Sequence, residues 1–345
     1  MTAINWAWDS LRKPLASWIV RFAVAAGLIA LLAVFVDFPA AMEAVGDVSP
    51  FLFVAALAVA LGAWLINSLK WWLLLQPLDP GPGPLRLFEW NLRGIFYGQL
   101  LPGMLAGEAV KGYRLYRETG SAAPVIVSIG ADRLTGLVAL ALLGSLALVR
   151  SPDLRGDEFY IGIVGGFGVL VPMLLLAMFT PSAMGWIRRL ENRPLLSGLV
   201  QRGGEVIQAY QGRYPLLAVT LLLAVTFQAL GAIAVYLLGL GIDMDVGLVD
   251  FLWVYAAVSL VSLLPIALGG LGAREATFIL LLGPLGVDSE AALTLGFLVL
   301  GVQLALALMG GGLELRAAVW PSARLAASLP GVLPSESFQG LSKDA

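Results

Sequence analysis

LLPGMLAGEAVKGYR, residues 100–114, and LLPIALGGLGAREAT, residues 263–277, are the two stretches that decide how this chain folds. In both, Leu-Leu-Pro is followed by a glycine five residues after the proline (Gly107, Gly270). A basic residue stands four further on (Lys111, Arg274). Proline removes a helical hydrogen bond and glycine weakens the helix around it. A charge inside an apolar run is costly. A chain that does both twice points to two broken helices meeting at a polar site within a membrane.

The composition agrees. The 345 residues are 59% hydrophobic and 13% charged, with mean hydropathy +0.88. Soluble domains carry roughly a quarter charged residues. Several apolar runs reach the roughly 20 residues that cross a bilayer. The strand-length alternation of a membrane barrel is missing. The expected fold is therefore an all-α polytopic membrane protein with about six spans and two oppositely oriented re-entrant hairpins in an inverted repeat.

Cysteine and histidine are both absent. That excludes disulfides, thiol nucleophiles, Cys/His zinc sites and imidazole catalysis. No Gly-x4-Gly-Lys-Ser/Thr motif occurs, so no P-loop is expected. No cofactor, no metal, no nucleic-acid partner and no enzymatic activity are expected. The first apolar run, Trp18 to Val36, lacks a small-residue cleavage pattern after it and reads as a retained helix.

The spans read as Trp18–Val36, Phe51–Leu75, Pro124–Val149, Phe159–Thr180, Pro215–Leu238 and Ala291–Leu315. Leu85–Tyr116 and Phe251–Gly286 do not fit as simple spans, and each holds one cassette. Lys and Arg bias orients the chain. The loop from Ala40 to Pro50 has no basic residue, the segment from Lys70 to Arg117 is rich in them, and the loop between Thr180 and Pro215 has five Arg. The loop from Gly239 to Asp250 has none. This alternation, broken only in the loop from Arg150 to Glu158, puts both termini in the cytoplasm. The first cassette then dips in from the cytoplasmic side and the second from the opposite side. A plainer topology, with Phe251–Leu268 a full span and Ala273–Gly286 a short one, leaves the C-terminus on the same side.

The chain divides into a cytoplasmic N-terminus (1–17), one transmembrane domain (18–316) and a Ser-, Pro- and Gly-rich tail (317–345) expected to be disordered. The repeat halves are about 51–149 and 215–315. They are joined by segment 181–214, whose apolar residues and arginines suit the anionic inner leaflet or, equally, a soluble loop helix.

Charges within the spans are the candidate site. Arg274 and Glu275 would each cost about 2.5–3.5 kcal/mol unpaired at the midplane. Neighbours in sequence are expected on different helix faces, so partners are sought in Glu108, Lys111, Asp132 and Arg133, as a mixed-sign cluster where the hairpins meet. Lys111 and Arg114 share a face continued by Arg117, which suits an anion such as phosphate at a helix N-terminus; snorkelling is the alternative. Lys70 is expected to snorkel, Gln228 and Gln303 to glue helices, and Trp71, Trp72, Trp90 and Trp320 to form interface belts.

These motifs, with Asn91 before the first cassette and Ala-Asp-Arg-Leu-Thr-Gly at 131–136, resemble the lysylphosphatidylglycerol synthase transmembrane-region family. This is the flippase-like domain found also in the multiple peptide resistance factor. The resemblance runs from about Trp18 to Arg316. It implies binding roles for Asn91, Glu108, Lys111, Asp132, Arg133, Arg274 and Glu275. It implies hinge roles for Pro102, Gly107 and Gly270; Gly103, Pro265, Gly269 and Gly272 join them from the cassettes themselves. The family often has Asp and Arg where this chain has Glu108 and Lys111, and Lys lacks the bidentate fork. Aminoacylating members append a soluble catalytic domain, for which the residues after Arg316 leave no room, so the resemblance implies the translocase half. The expected partners are a membrane phospholipid or lipid-linked substrate, the inner leaflet, and either a second copy or a separate lipid-modifying enzyme. A transporter of a small anionic solute is the alternative, and a membrane-embedded lipid-modifying enzyme ranks below it.

Overall fold

In a computed structural model, residues 48–78, 81–100, 106–150, 208–262 and 272–319 are described, with isolated positions 46, 166, 169 and 173. The expected span Trp18–Val36 falls outside these residues, as does Phe159–Thr180 but for the three isolated positions within it. So do the N-terminus, most of segment 181–214, and Pro102, Gly103, Pro265, Gly269 and Gly270. Among the described residues eight helices have defined bounds, and no strand occurs. They are α1 (Pro50–Leu75), α2 (Pro84–Leu100), α3 (Ala106–Thr119), α4 (Ala122–Arg150), α5 (Tyr214–Leu240), α6 (Leu248–Ser262), α7 (Ala273–Leu282) and α8 (Ser289–Val319). A 3-10 turn, Gly283–Leu285, follows α7.

Four of these are long and apolar enough to cross a bilayer: α1, α4, α5 and α8. Proline opens α1 and α5, where its missing N–H costs nothing and its fixed φ suits the first turn. The last helix runs to Val319, three residues into the stretch expected as tail. The cassettes lie between shorter helices, α2 and α3 around the first and α6 and α7 around the second. The 15 residues of α6 and the 10 of α7 rise only about 22 and 15 Å, short of the roughly 30 Å of hydrocarbon.

The packing has an internal symmetry. Pairing α1, α2, α3 and α4 with α5, α6, α7 and α8 maps each packed pair of helices onto another. The contact of α2 with α8 is matched by that of α6 with α4, α1 with α2 by α5 with α6, and α2 with α3 by α6 with α7. Likewise α3 with α4 matches α7 with α8, α1 with α4 matches α5 with α8, and α1 with α8 matches α5 with α4. The contact of α1 with α5 maps onto itself. Two halves of like architecture therefore embrace each other.

Glycines permit the closest approaches. A Cβ on Gly107 of α3 would overlap the Gly94 carbonyl of α2, and one on Gly310 of α8 would overlap the Leu92 carbonyl of α2. Small residues let helix backbones touch where lipid supplies no hydrophobic drive. The main core gathers Phe251, Trp253, Phe278, Leu295 and Leu298 with residues of α2 and α5. A second cluster joins α1, α4 and α5, and there Tyr210, just ahead of α5, donates to the Leu74 carbonyl at 2.7 Å. Burial, with the Asp132 carboxylate nearby, pushes this phenol well above its ordinary range, so it stays a neutral donor.

Candidate functional site

Each cassette places its cation at the start of the helix that follows it. Lys111 stands on the second turn of α3. Its Nζ lies 3.0 Å from Glu108 Oε1 and donates to Asn91 Oδ1 at 3.1 Å. Asn91 Nδ2 donates to Ser68 Oγ at 2.8 Å, and Ser68 donates to the Trp64 carbonyl at 2.7 Å. A hydrogen-bonded line thus joins Lys111 to α1. The ammonium also sits 5.3 Å from the centroid of the Trp71 ring, within cation–π range. Glu108 is shared, accepting from Arg133 at 3.1 Å.

The second cassette repeats this chemistry. Gly272 opens α7 at φ 81, a left-handed conformation that glycine adopts freely. Its N–H donates to Glu275 Oε2 at 2.7 Å. Arg274 donates to Glu275 Oε1 through Nε at 3.0 Å and Nη2 at 2.5 Å. Its Nη1 donates to Gln303 Oε1 of α8 at 3.0 Å. Arg274 is 4% and Glu275 3% exposed. In both cassettes, then, a buried cation is held by a carboxylate of its own helix and an amide oxygen of a neighbouring helix.

Several expectations are corrected. Arg274 and Glu275 do satisfy each other. Glu275 folds back to cap Gly272, which carries its other oxygen to the guanidinium. Glu108, Lys111, Asp132 and Arg133 do not partner them, and among the described residues the two charge sets remain separate. Lys111 and Arg114, expected to serve one anion, take separate carboxylates: Lys111 lies against Glu108 and Arg114 pairs with Glu314 of α8. Lys70 does not snorkel: it is 1% exposed, 3.1 Å from Asp132 Oδ1. Trp71 and Trp90 are buried in a cluster with Leu75, Leu87 and Leu115, and Trp71 donates to Ser128 Oγ at 3.2 Å. Gln228 behaves as expected, donating to the Gly136 carbonyl at 3.5 Å and accepting from Tyr255 at 3.4 Å.

A cavity of about 370 Å³ lies among α1, α2, α5, α6 and α8. Its wall is mostly aliphatic and aromatic. Gln99 and Ser262, at the ends of the helices that enter the two cassettes, both line it. Gln303, the Arg274 partner, lines it too. Pro265 stands 163 positions after Pro102. The same interval separates Ser262 from Gln99, and Phe227 from Trp64. Trp64 and Phe227 also line the cavity, so it sits where the two halves meet. The described lining holds no charged side chain; the charges expected as a mixed-sign cluster where the hairpins meet lie off it among the described residues. The sequence reading missed Gln99, Ser68 and Glu314 and took Gln303 only as helix glue, a role it does fill between α7 and α8; only the shared 163-residue interval could have singled out Gln99, through Ser262.

The four apolar spans, the absence of strands among the described residues and the buried paired charges define an all-helical membrane protein with an internal polar site. The family described as Lysylphosphatidylglycerol synthase TM region matches residues 18–311, and the chain belongs to it. A "UPF0104 membrane protein" of Methanothermobacter thermautotrophicus is 20% identical over 307 residues, 82% of this chain and 88% of that protein. "Glycosyltransferase AglD" of Haloferax volcanii is 24% identical over 340 residues, 84% of this chain; the chain spans 54% of that relative.

Proposed function

We propose that this protein is a lipid translocase of the cytoplasmic membrane, multi-pass with both termini cytoplasmic, moving a phospholipid or a lipid-linked headgroup, and that it is not itself an enzyme. The observation that carries this reading is the cavity: apolar walls, with Gln99 and Ser262 at the approaches to both cassettes and Gln303 beside Arg274. An amphiphile needs that combination, a polar end held by a few placed groups and an apolar surround. Two hairpins inserted from opposite faces would let one half rock against the other around a fixed site. Lys111, through Asn91, holds the arms of the first hairpin together, and Arg274, through Gln303, holds α7 to α8 while the headgroup passes. The relative named a glycosyltransferase makes a glycosylated lipid one headgroup class worth testing. A carrier of a small anion would want an unpaired cation facing the cavity, and the described lining offers none.

The test uses purified protein in liposomes carrying fluorescent phospholipids of several headgroups. Accessibility of the label to a membrane-impermeant reductant reports movement between leaflets. Wild type is expected to equilibrate at least one headgroup, and Lys111→Ala and Arg274→Ala to slow it. Wild-type protein that moves no lipid of any headgroup overturns the reading.

A further inference from the structure

We infer that the cavity between the two halves receives an uncharged, polyhydroxylated headgroup, of the glycosyl or polyol class, rather than a phosphate or an ammonium group. This deepens the translocase reading and rests on its assignment of the cavity as the headgroup site. The first reason is charge. The three cations that the sequence offers to a phosphate are each committed: Lys111 to Glu108, Arg114 to Glu314 and Arg274 to Glu275. A charged headgroup entering the cavity would shed its water and meet no countercharge on the described lining, which is strongly unfavourable.

The second reason is the polarity of the groups that face the cavity. Gln303 Oε1 accepts from Arg274, which fixes the amide and leaves Nε2 as a donor. Ser262 gives its proton to the Val258 carbonyl, so its oxygen is left as an acceptor, whereas Tyr255 is engaged on both sides, by Gln228 Oε1 and by Ser259. Gln99, exposed at the end of α2, presents a donor and an acceptor. Hydroxyl groups both donate and accept, and a lining of mixed neutral donors and acceptors matches them. Carboxylates, phosphates and ammonium groups would leave half of this set unanswered.

The third reason is shape. At about 370 Å³ the cavity is at the small end of ligand sites, sized for a headgroup and not for a whole lipid. The Trp64 and Phe227 rings on its wall offer the apolar surface against which the C–H face of a sugar ring packs. Each half contributes one ring and one polar group at equivalent positions, Trp64 with Gln99 and Phe227 with Ser262.

The experiment places the protein in phosphatidylcholine nanodiscs doped with equal amounts of monoglucosyl diacylglycerol, phosphatidylglycerol and lysylphosphatidylglycerol. Lipids retained after detergent extraction are then quantified by mass spectrometry. The glucosyl lipid is expected to be enriched over both charged lipids. Gln303→Leu and Gln99→Leu should each cut that enrichment by about fivefold, the worth of one neutral hydrogen bond. Gln99 is exposed, so its variant keeps the test alive if Gln303→Leu fails to fold. A parallel arm measures methyl glucoside binding by fluorescence. Affinity equal to that of the glucosyl lipid assigns the site to a free sugar, and displacement only in large excess assigns it to the lipid. Equal retention of the three lipids, enrichment of either charged one, or enrichment untouched by both variants overturns the inference. Glucosyl lipid retained by a protein that moves no lipid removes the translocase reading and leaves this one standing.

Discussion

Trp64 of α1 and Phe227 of α5 meet edge to face, with ring centroids 5.4 Å apart and planes inclined by 65°. They lie on the one helix pair that maps onto itself when the two halves are exchanged. Edge-to-face pairs contribute about 0.5–1.5 kcal/mol beyond the area they bury. A double-mutant cycle of Trp64→Leu and Phe227→Leu should return a coupling of that size in chemical denaturation. A coupling indistinguishable from zero would show that the rings are merely adjacent.

Lys70 and Asp132 form a pair between α1 and α4, with the lysine side chain 2% and the carboxylate 16% exposed. Lys70 Nζ also donates to the Asp132 backbone carbonyl at 3.3 Å. Removing one member of a buried pair leaves an uncompensated charge and costs about 3–5 kcal/mol. Lys70→Met and Asp132→Leu should each lower the unfolding midpoint strongly. The double variant Lys70→Met with Asp132→Leu should recover most of the loss. A double variant as unstable as the sum of the singles would contradict the pairing.

Much of the fold is legible in the residues. Hydropathy alone marks α1, α4, α5 and α8, because each is a long apolar run bounded by proline, glycine or charge. The cassettes mark where helices stop, because proline and glycine act locally. Partner choice is not legible. Arg274 reaches Glu275 only because Glu275 also caps Gly272 at φ 81, a geometry that helical spacing does not foretell. Lys70 looks like a snorkelling residue near a helix end until α4 brings Asp132 over it. Trp71 and Trp90 look like belt anchors until α3 brings Leu115 into one buried cluster with them. Such contacts depend on which helix lies beside which, and the pattern along one helix carries no record of its neighbour.

Gly310 lets α8 touch α2, since a Cβ there would overlap the Leu92 carbonyl. Two positions along, Gly312 has nothing within 4 Å of an added Cβ. Overpacking costs about 1–3 kcal/mol and more where backbone is the obstacle. Gly310→Ala should therefore lower the thermal midpoint clearly, while Gly312→Ala should leave it unchanged or raise it slightly through better helix propensity. Equal effects of the two substitutions would mean that α2 and α8 do not approach this closely.

Glu314 joins the last helix to the first cassette. It pairs with Arg114 of α3 and lies 3.6 Å from Arg93 of α2. Glu314→Gln leaves two cations facing each other with no carboxylate of α8 between them. Hydrogen bonds to charged groups contribute about 1.5–3 kcal/mol, and the partial exposure of Arg114, 27%, brings the expected loss to the lower part of that range. Arg117, on the same helix but exposed, serves as the comparison, because surface substitutions stay within about 0.5 kcal/mol. If the protein is the proposed translocase, with one half rocking against the other, Glu314→Gln should change the rate of lipid movement in liposomes, because that motion would strain or break this tie, while Arg117→Ala should not. Unchanged stability and unchanged rate in Glu314→Gln would show that α8 is not held to α2 and α3 by this carboxylate.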